Sequence, residues 1–246
     1  MNSSPSWLVR LSPQSADGPT LLICPHAGGG PVFYRALAAA LFNRLTVWAV
    51  NYPGRERQVQ TPLADSMHSL VNSIVDQIPR HLPGTFVLLG HSMGAFVAQE
   101  VAVQLAHQIH GVIVSAQTSP LTQQTDRELL HQANDETLLR AVESLGASPA
   151  SLLQHPEFKQ QLLPLLRRDF QITETHHPRT EPLHVPLIAY AGEQDTLAPP
   201  ENMRSWEHLT TAEFRYRIFP GGHFYFTDDV HTVAHHLHHD AMWFLT

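Results

Sequence analysis

The sequence has one cysteine, one lysine and no long apolar run. A lone Cys24 excludes an intrachain disulfide, and its place in the apolar segment LLIC favours a small buried side chain over a reactive thiol. The chain lacks both a membrane-length apolar stretch and, at its start, the basic and apolar regions of a secretory signal. We therefore expect a cytoplasmic protein that does not enter a membrane.

Positive charge is also scarce. The 246 residues carry a formal net charge of -7, which argues against a general nucleic-acid-binding protein. With 43% hydrophobic and 15% charged residues, the composition is that of an ordinary globular enzyme, and no repeat of fixed period is present. The length suits one α/β domain, and we predict a single domain over residues 1–246.

Short β-rich segments alternate with longer segments of helical periodicity. The predicted strands are residues 20–25, 46–51, 85–89, 111–116, 185–191 and 214–219, with residues 7–11 as a candidate edge strand. The predicted helices are residues 32–41, 66–78, 95–108 and 228–244. Several strands are continuous apolar runs, which is typical of strands buried on both faces of a parallel sheet. The alternation predicts an α/β fold with a mostly parallel, doubly wound sheet.

Residues 119–182 interrupt this alternation, because they contain helix signals but no convincing strand. Residues 125–128 fit a capping box, Asn134 can cap a helix, and Pro149 suits a first helical position. The segment is also rich in leucine. Two compatible interpretations are a helical subdomain with its own core and a helical lid over a site for an apolar substrate. We predict a lid insertion over residues 119–182.

The segment GHSMG places Ser92 between Gly90 and Gly94. Such a pattern alone is weak, since small residues also recur in ordinary turns. Here it follows a predicted strand and precedes a predicted helix, which is the context of a nucleophilic serine on a sharp turn. The glycines permit that turn, and the hydroxyl of Ser92 should project above the sheet. In the helix that follows, the expected buried stripe is Phe96, Val97, Val101 and Leu105.

A serine hydroxyl needs a base, and the base needs an orienting acid, in the chain order Ser, Asp or Glu, His. Asp195 follows the strand at residues 185–191, and Glu193 is its rival, although it lies closer to the strand end. The loop at residues 117–120 offers no carboxylate. His223 follows two glycines after the last strand. We predict His223 as general base and then acid, and Asp195 as the orienting anion.

An oxyanion hole requires two backbone donors. One should be the amide of Met93, directly after the nucleophile, and the other should come from residues 25–30, PHAGGG. Within that loop Ala27 is the expected donor. A phosphate-binding loop is the weaker interpretation, because neither Gly-Lys-Ser/Thr nor GxGxxG occurs.

Histidines crowd the C-terminal segment. They are His231, His235, His236, His238 and His239. Two pairs have the i,i+4 spacing that a metal site can use. However, an apolar stripe on the same helix leaves the histidines mostly on the opposite face; the stripe consists of Val230, Ala234, Leu237, Ala241 and Phe244. A solvated helix face is the favoured interpretation, and no metal is predicted.

Five motifs occur in a fixed order within residues 21–226: PHAGGG, YPGRER, GHSMGA, LPLLRRDF and FPGGHFYF. Together they resemble the type II thioesterases of nonribosomal peptide and polyketide synthesis. The resemblance implies an α/β-hydrolase fold with a helical lid between the strands that begin at Gly111 and Val185. By the same motifs it implies the catalytic and oxyanion residues already chosen: Ser92, Asp195, His223, Ala27 and Met93.

The resemblance also implies a substrate and a partner. The substrate would be an acyl thioester on the phosphopantetheine arm of a carrier protein, removed in an editing reaction that needs no cofactor of the enzyme's own. The enzyme would act as a monomer. Arg55, Arg57, Arg167 and Arg168 could meet an acidic carrier protein or simply solvate the surface. Two features depart from the family pattern: Asn51, where family members often carry glutamine, and the histidine-rich helix.

Other functions stay open at this level. A thioesterase that releases medium-chain fatty acids or finished products would carry the same residues, and so would a general carboxylesterase or lipase. Comparing the hydrolysis of pantetheine thioesters with that of matched oxoesters distinguishes a carboxylesterase or lipase from a thioesterase. A noncatalytic binding protein on the same fold should have lost part of the catalytic set, whereas every candidate residue is present here.

Overall fold

The computed structural model describes residues 7–12, 18–82, 84–122, 129–146 and 155–246. Within them, seven strands form one sheet: β1 (Leu8–Arg10), β2 (Thr20–Cys24), β3 (Thr46–Val50), β4 (Phe86–His91), β5 (Ile109–Ser115), β6 (Leu187–Gly192) and β7 (Phe214–Phe219). The order across the sheet is β1-β3-β2-β4-β5-β6-β7. Only the edge strand β1 pairs antiparallel, and the other pairs are parallel, as predicted.

Helices cover both faces of the sheet. They are α1 (Arg35–Ala40), α2 (Met67–Val75), α3 (Ile78–His81), α4 (Met93–Gln104), α5 (Asp135–Leu145), α6 (Pro156–Thr175), α7 (Pro200–Met203), α8 (Tyr225–Asp228) and α9 (Val230–Trp243). Short 3-10 turns occur at Pro31–Tyr34, Glu56–Gln58, Ala106–Gln108, Pro120–Thr122 and Arg204–Leu209.

The sheet separates two hydrophobic cores. Alternate side chains of each central strand enter opposite cores, as Leu22 and Leu88 do on one face and Leu21 and Val87 on the other. All four are fully buried. The continuous apolar runs in the sequence therefore have the predicted origin, because strands covered by helices on both sides need an apolar residue at every position.

The insertion between β5 and β6 holds α5 and α6 and, within the described residues, no strand of the sheet. Asn134 caps α5 by accepting a hydrogen bond from the amide of Thr137 at 2.9 Å, and Gly146 ends the helix with a left-handed φ of 82°. The cap predicted at Asn134 is thus confirmed. The helix starts predicted at residues 125–128 and at Pro149 lie outside the described residues.

The helix after Ser92 differs from its prediction. It begins at Met93 and ends at Gln104, so Leu105 lies beyond its end. The four residues of the predicted stripe are all buried, but their neighbours are buried too, so the helix is enclosed nearly all round from Met93 through Gln99. The reason is that α4 packs not only on the sheet but also against α2 and α6.

The C-terminal helical segment is divided into α8 and α9, although one helix over residues 228–244 was predicted. Asp229 interrupts it, and the Asp229 carboxylate accepts a hydrogen bond from the amide of Thr232 at 3.1 Å as the cap of α9. The histidines of α9 lie on its exposed and half-buried faces, while Val233, Ala234 and Leu237 face the core. Among the described residues, no three histidine, cysteine or acidic side chains group closely enough to hold a metal ion.

Two further expectations concern the burial of Cys24 and the absence of a membrane-spanning segment. Cys24 has no exposed surface, which confirms the predicted buried side chain. Burial also raises the pKa of its thiol far above the ordinary value, which disfavours the reactive thiolate. No helix in the described part of the chain is long and apolar enough to span a membrane.

Candidate active site

Ser92 lies on a strained turn between β4 and α4. Its backbone has φ of 54° and ψ of -124°, a conformation that costs a residue with a Cβ about 1–3 kcal/mol. A Cβ on Gly90 would lie 2.1 Å from the carbonyl oxygen of Gly94, and a Cβ on Gly94 would lie 1.9 Å from the carbonyl oxygen of Cys24. Both glycines are therefore required, and the predicted sharp turn between strand and helix is confirmed.

The close approach at Gly94 predicts a large loss of stability for Gly94→Ala. Overpacking commonly costs about 1–3 kcal/mol, and here the new methyl group meets backbone of β2 rather than a movable side chain. Thermal unfolding should show a clearly lower Tm. Gly222→Ala is the matched control, because its Cβ would meet nothing within 4 Å. An unchanged Tm for Gly94→Ala would contradict the steric argument.

Asp195 and His223 form a buried pair. Asp195 lies in the turn after β6, and its Oδ2 accepts a hydrogen bond from Nδ1 of His223 at 2.8 Å. Both residues are 3% exposed. The other carboxylate oxygen, Oδ1, accepts hydrogen bonds from the amides of Leu197 at 2.9 Å and Ala198 at 3.0 Å. The carboxylate is thereby fixed, and it holds the proton of His223 on Nδ1, which leaves Nε2 as an acceptor.

The Ser92 hydroxyl and His223 are not hydrogen-bonded to each other. Nε2 of His223 is buried and has no hydrogen-bond partner within the described residues. In many enzymes such a contact tightens only when substrate binds. The structure thus joins Asp195 directly to His223, and it places Ser92, Met93 and Ala27 around one cavity.

We call residues 25–30 the glycine loop. Its first half is anchored on tyrosines: Tyr52 donates a hydrogen bond to the carbonyl of Pro25 at 3.1 Å, and the hydroxyl of Tyr34 lies 3.0 Å from Nδ1 of His26. The amide of Gly29 donates to the carbonyl of His26 at 3.0 Å, which closes a tight turn around Ala27. The backbone at the predicted oxyanion donor is therefore held from both sides.

The second half of the glycine loop meets a buried ion pair that the sequence did not indicate. Arg55 and Asp169 form two parallel hydrogen bonds of 2.7 Å and 2.8 Å, and their side chains are 6% and 4% exposed. Asp169 Oδ2 also accepts from the amide of Gly28 at 2.7 Å, while Arg55 donates to the carbonyl of Gly29 at 3.0 Å.

The sequence suggested that four arginines either meet an acidic carrier protein or solvate the surface, and both interpretations are wrong for Arg55, which is buried in this pair. Arg167 is also engaged, since it pairs with Asp135 at 2.5 Å and donates to two carbonyls of the insertion. Arg57 is exposed and Arg168 is partly exposed. Asn51, which departs from the family pattern, is buried and donates to the carbonyls of Tyr52 and Arg55, each at 3.0 Å.

Two other histidines surround His223. The ring of His91 lies 5.2 Å from that of His223 and 6.0 Å from that of His26. Burial lowers the pKa of His26 to about 3 and holds the pKa of His91 well below its usual value. Both are therefore neutral near pH 7 and place no fixed positive charge beside His223. Nδ1 of His91 also bonds to the Ser115 hydroxyl at 2.8 Å.

A cavity of about 210 Å³ opens at Ser92. Its lining is mostly apolar and consists of Ala27, Ser92, Met93, Gln117, Leu130, Phe170, Thr173, Glu174, Leu197 and Ala198. Leu130, Phe170, Thr173 and Glu174 belong to the insertion. One wall is therefore formed by the segment that the sequence predicted as a lid.

The chain resembles known thioesterases over most of its length. The thioesterase-domain family model matches residues 19–241. Thioesterase PikA5 of Streptomyces venezuelae is 32% identical over 93% of this chain and 83% of its own length. The probable cadicidin biosynthesis thioesterase of Streptomyces griseus is 34% identical over 95% of this chain, which spans 66% of that relative.

Among solved structures, the type II thioesterase BorB from the borrelidin biosynthetic cluster superposes with a TM-score of 0.85 at 30% identity. The match covers 96% of this chain and 98% of BorB. It confirms the α/β-hydrolase fold that the motifs implied. From the family match and these likenesses it follows that the chain belongs to the thioesterase family.

Proposed function

We propose that this protein is a type II, editing thioesterase, which hydrolyses acyl thioesters from the phosphopantetheine arm of carrier proteins in nonribosomal peptide or polyketide synthesis. The observation that carries the proposal is the cavity at Ser92, with the buried Asp195–His223 pair in the same site. The names of the cadicidin protein and BorB supply the biosynthetic setting.

In the acylation step, the Ser92 hydroxyl attacks the thioester carbonyl carbon and its proton passes to Nε2 of His223. Asp195 stabilises the imidazolium through the 2.8 Å hydrogen bond to Nδ1. The amides of Met93 and Ala27 stabilise the tetrahedral oxyanion. When the intermediate collapses, the carbon–sulfur bond breaks, the pantetheine sulfur takes the proton from His223 and leaves as a thiol, and the acyl group stays on Ser92.

In the deacylation step, His223 takes a proton from water, and the resulting hydroxide attacks the acyl-enzyme carbonyl. A second tetrahedral intermediate forms in the same oxyanion hole, its bond to the Ser92 oxygen breaks, that oxygen regains its proton from His223, and the acyl group leaves as a carboxylic acid. This cycle uses no cofactor of the enzyme's own. The phosphopantetheine arm enters as part of the substrate.

The insertion at residues 119–182 would act as the lid in this proposal. Its residues Leu130 and Phe170 line the cavity, so they can keep bulk water from the thioester while a slim pantetheine arm enters. The same proposal has the enzyme working as a cytoplasmic monomer that meets carrier-protein domains. The exposed Arg57 is a candidate contact for an acidic carrier.

Hydrolysis of a panel of acyl-carrier proteins tests the function. Mass spectrometry of each carrier, with and without enzyme, should show loss of the acyl mass and recovery of free phosphopantetheinyl carrier. Acyl pantetheine thioesters should be hydrolysed faster than the matched oxoesters, because the thiolate is the better leaving group. A preference for oxoesters would indicate a general carboxylesterase instead. Release confined to long or finished chains would indicate a product-releasing thioesterase.

A further inference from the structure

The carboxylate of Asp169 connects the insertion to the glycine loop. Asp169 belongs to α6, yet its Oδ2 accepts the amide hydrogen of Gly28 at 2.7 Å across 141 positions of sequence. The contact is enclosed, since Asp169 is 3% exposed. Leu166, one turn earlier on α6, packs so closely that a Cβ on Gly28 would lie 2.7 Å from its Cδ2. Helix and loop are therefore held together by both a hydrogen bond and direct packing.

The bonded amide is next to the predicted oxyanion donor. The first peptide unit, between His26 and Ala27, contains the Ala27 N–H and the His26 carbonyl that accepts the hydrogen bond from Gly29. The second, between Ala27 and Gly28, contains the Gly28 N–H that donates to Asp169. Fixing the first unit fixes the direction of the Ala27 N–H, and fixing the second restricts rotation of the backbone at Ala27. A donor must be aimed at the developing oxyanion to stabilise the transition state.

Arg55 bonds to both Asp169 and the glycine loop. It holds both oxygens of Asp169, and its NH1 also donates to the carbonyl of Gly29. A buried ion pair is a weak source of stability, because desolvation offsets most of the attraction. Here, however, the pair gives the carboxylate a fixed orientation, so that one lone pair remains directed at Gly28.

The same helix lines the acyl cavity through Phe170, Thr173 and Glu174. We propose that Asp169 and Arg55 are positioning residues for the oxyanion hole, which couple the aim of the Ala27 amide to the seating of the lid helix α6. The inference rests on the proposed function of Ala27. When α6 is seated against the loop, the acyl wall and the oxyanion donor are in place together. When α6 is displaced, transition-state stabilisation is lost rather than substrate affinity.

Two variants separate positioning from simple structural support. Asp169→Asn keeps an acceptor for Gly28 but leaves the buried Arg55 charge unpaired. The double variant Arg55→Met/Asp169→Leu removes both charges and the acceptor. Because replacing a whole buried ion pair with apolar residues is often neutral or stabilising, the double variant should have the higher Tm.

Of these two variants, the one with the higher Tm should have the lower kcat. We expect the double variant to lose about a hundredfold in kcat, as for loss of one oxyanion donor, with KM nearly unchanged. Asp169→Asn should lose less. If kcat instead recovers in the double variant as Tm recovers, or if only KM changes, the pair is merely structural and the inference is overturned.

The pair Arg217–Asp240 provides the control, since Asp240 is 1% exposed and is also held by two hydrogen bonds from its arginine. It joins α9 to β7, the edge strand that lies four positions across the sheet from β2, after which the glycine loop begins. Asp240→Asn should lower Tm while leaving kcat close to wild type. Wild-type enzyme assayed on the same acyl-carrier thioester tests the underlying function separately. No turnover by the wild type would refute the thioesterase proposal. Turnover by the wild type together with a recovered kcat in the double variant would refute the coupling alone.

Discussion

Replacing Ser92 with alanine should abolish thioester hydrolysis without unfolding the protein. Loss of a serine nucleophile lowers kcat by on the order of a million-fold in well-studied hydrolases. The fold should persist for two reasons. Alanine keeps the Cβ, so the strain at φ of 54° does not change. The hydrogen bond from the Ser92 amide to the Ser115 carbonyl, at 2.8 Å, is also untouched.

The measurement is single-turnover hydrolysis of an acyl-carrier protein, followed by mass spectrometry. In the wild-type enzyme, rapid quenching should trap the acyl group on the peptide that contains Ser92, and the variant should show no such adduct. Circular dichroism and Tm control for folding. Substantial turnover by the purified, folded variant would refute the assignment of Ser92 as nucleophile.

Much of this fold could be predicted from local sequence patterns. The continuous apolar run around Leu88 indicated a strand buried on both faces, and the structure confirms it. The glycines around Ser92 are needed for contacts made within a few residues or with the adjacent strand. Asp195 and His223 could be chosen because chain order in a parallel sheet brings the ends of late strands to one edge. Their direct hydrogen bond agrees with that choice.

The features that could not be predicted depend on contacts between distant segments. Arg55 and Asp169 are 114 positions apart, and each lies in a charged motif that, taken alone, suggests a solvated surface. The burial of α4 on nearly all sides likewise depends on how α6 packs on it. Periodicity within one segment carries no information about such packing, because it reports only the faces that the segment itself makes apolar.

Asp195→Asn is expected to lower kcat by about ten-thousandfold, with little effect on KM. The reason lies in the two oxygens of the carboxylate. Oδ1 accepts from the amides of Leu197 and Ala198, so an asparagine must keep its oxygen there and turn its NH2 group toward His223. Because the asparagine NH2 group is a donor, Nδ1 of His223 must lose its proton in order to accept a hydrogen bond from it. The proton then sits on Nε2, where it prevents the imidazole from accepting the proton of Ser92.

Glu193→Gln is the matched control for this substitution. Glu193 lies two positions earlier in the same turn, but it is exposed, and its carboxylate accepts a hydrogen bond from the Gln194 side chain instead of from His223. Steady-state kinetics on an acyl-pantetheine substrate should therefore show nearly wild-type kcat for Glu193→Gln and a deep loss for Asp195→Asn. The opposite result would make Glu193 the orienting acid. The Asp195→Asn variant should also keep its overall fold, because the hydrogen bonds from the amides of Leu197 and Ala198 survive in it.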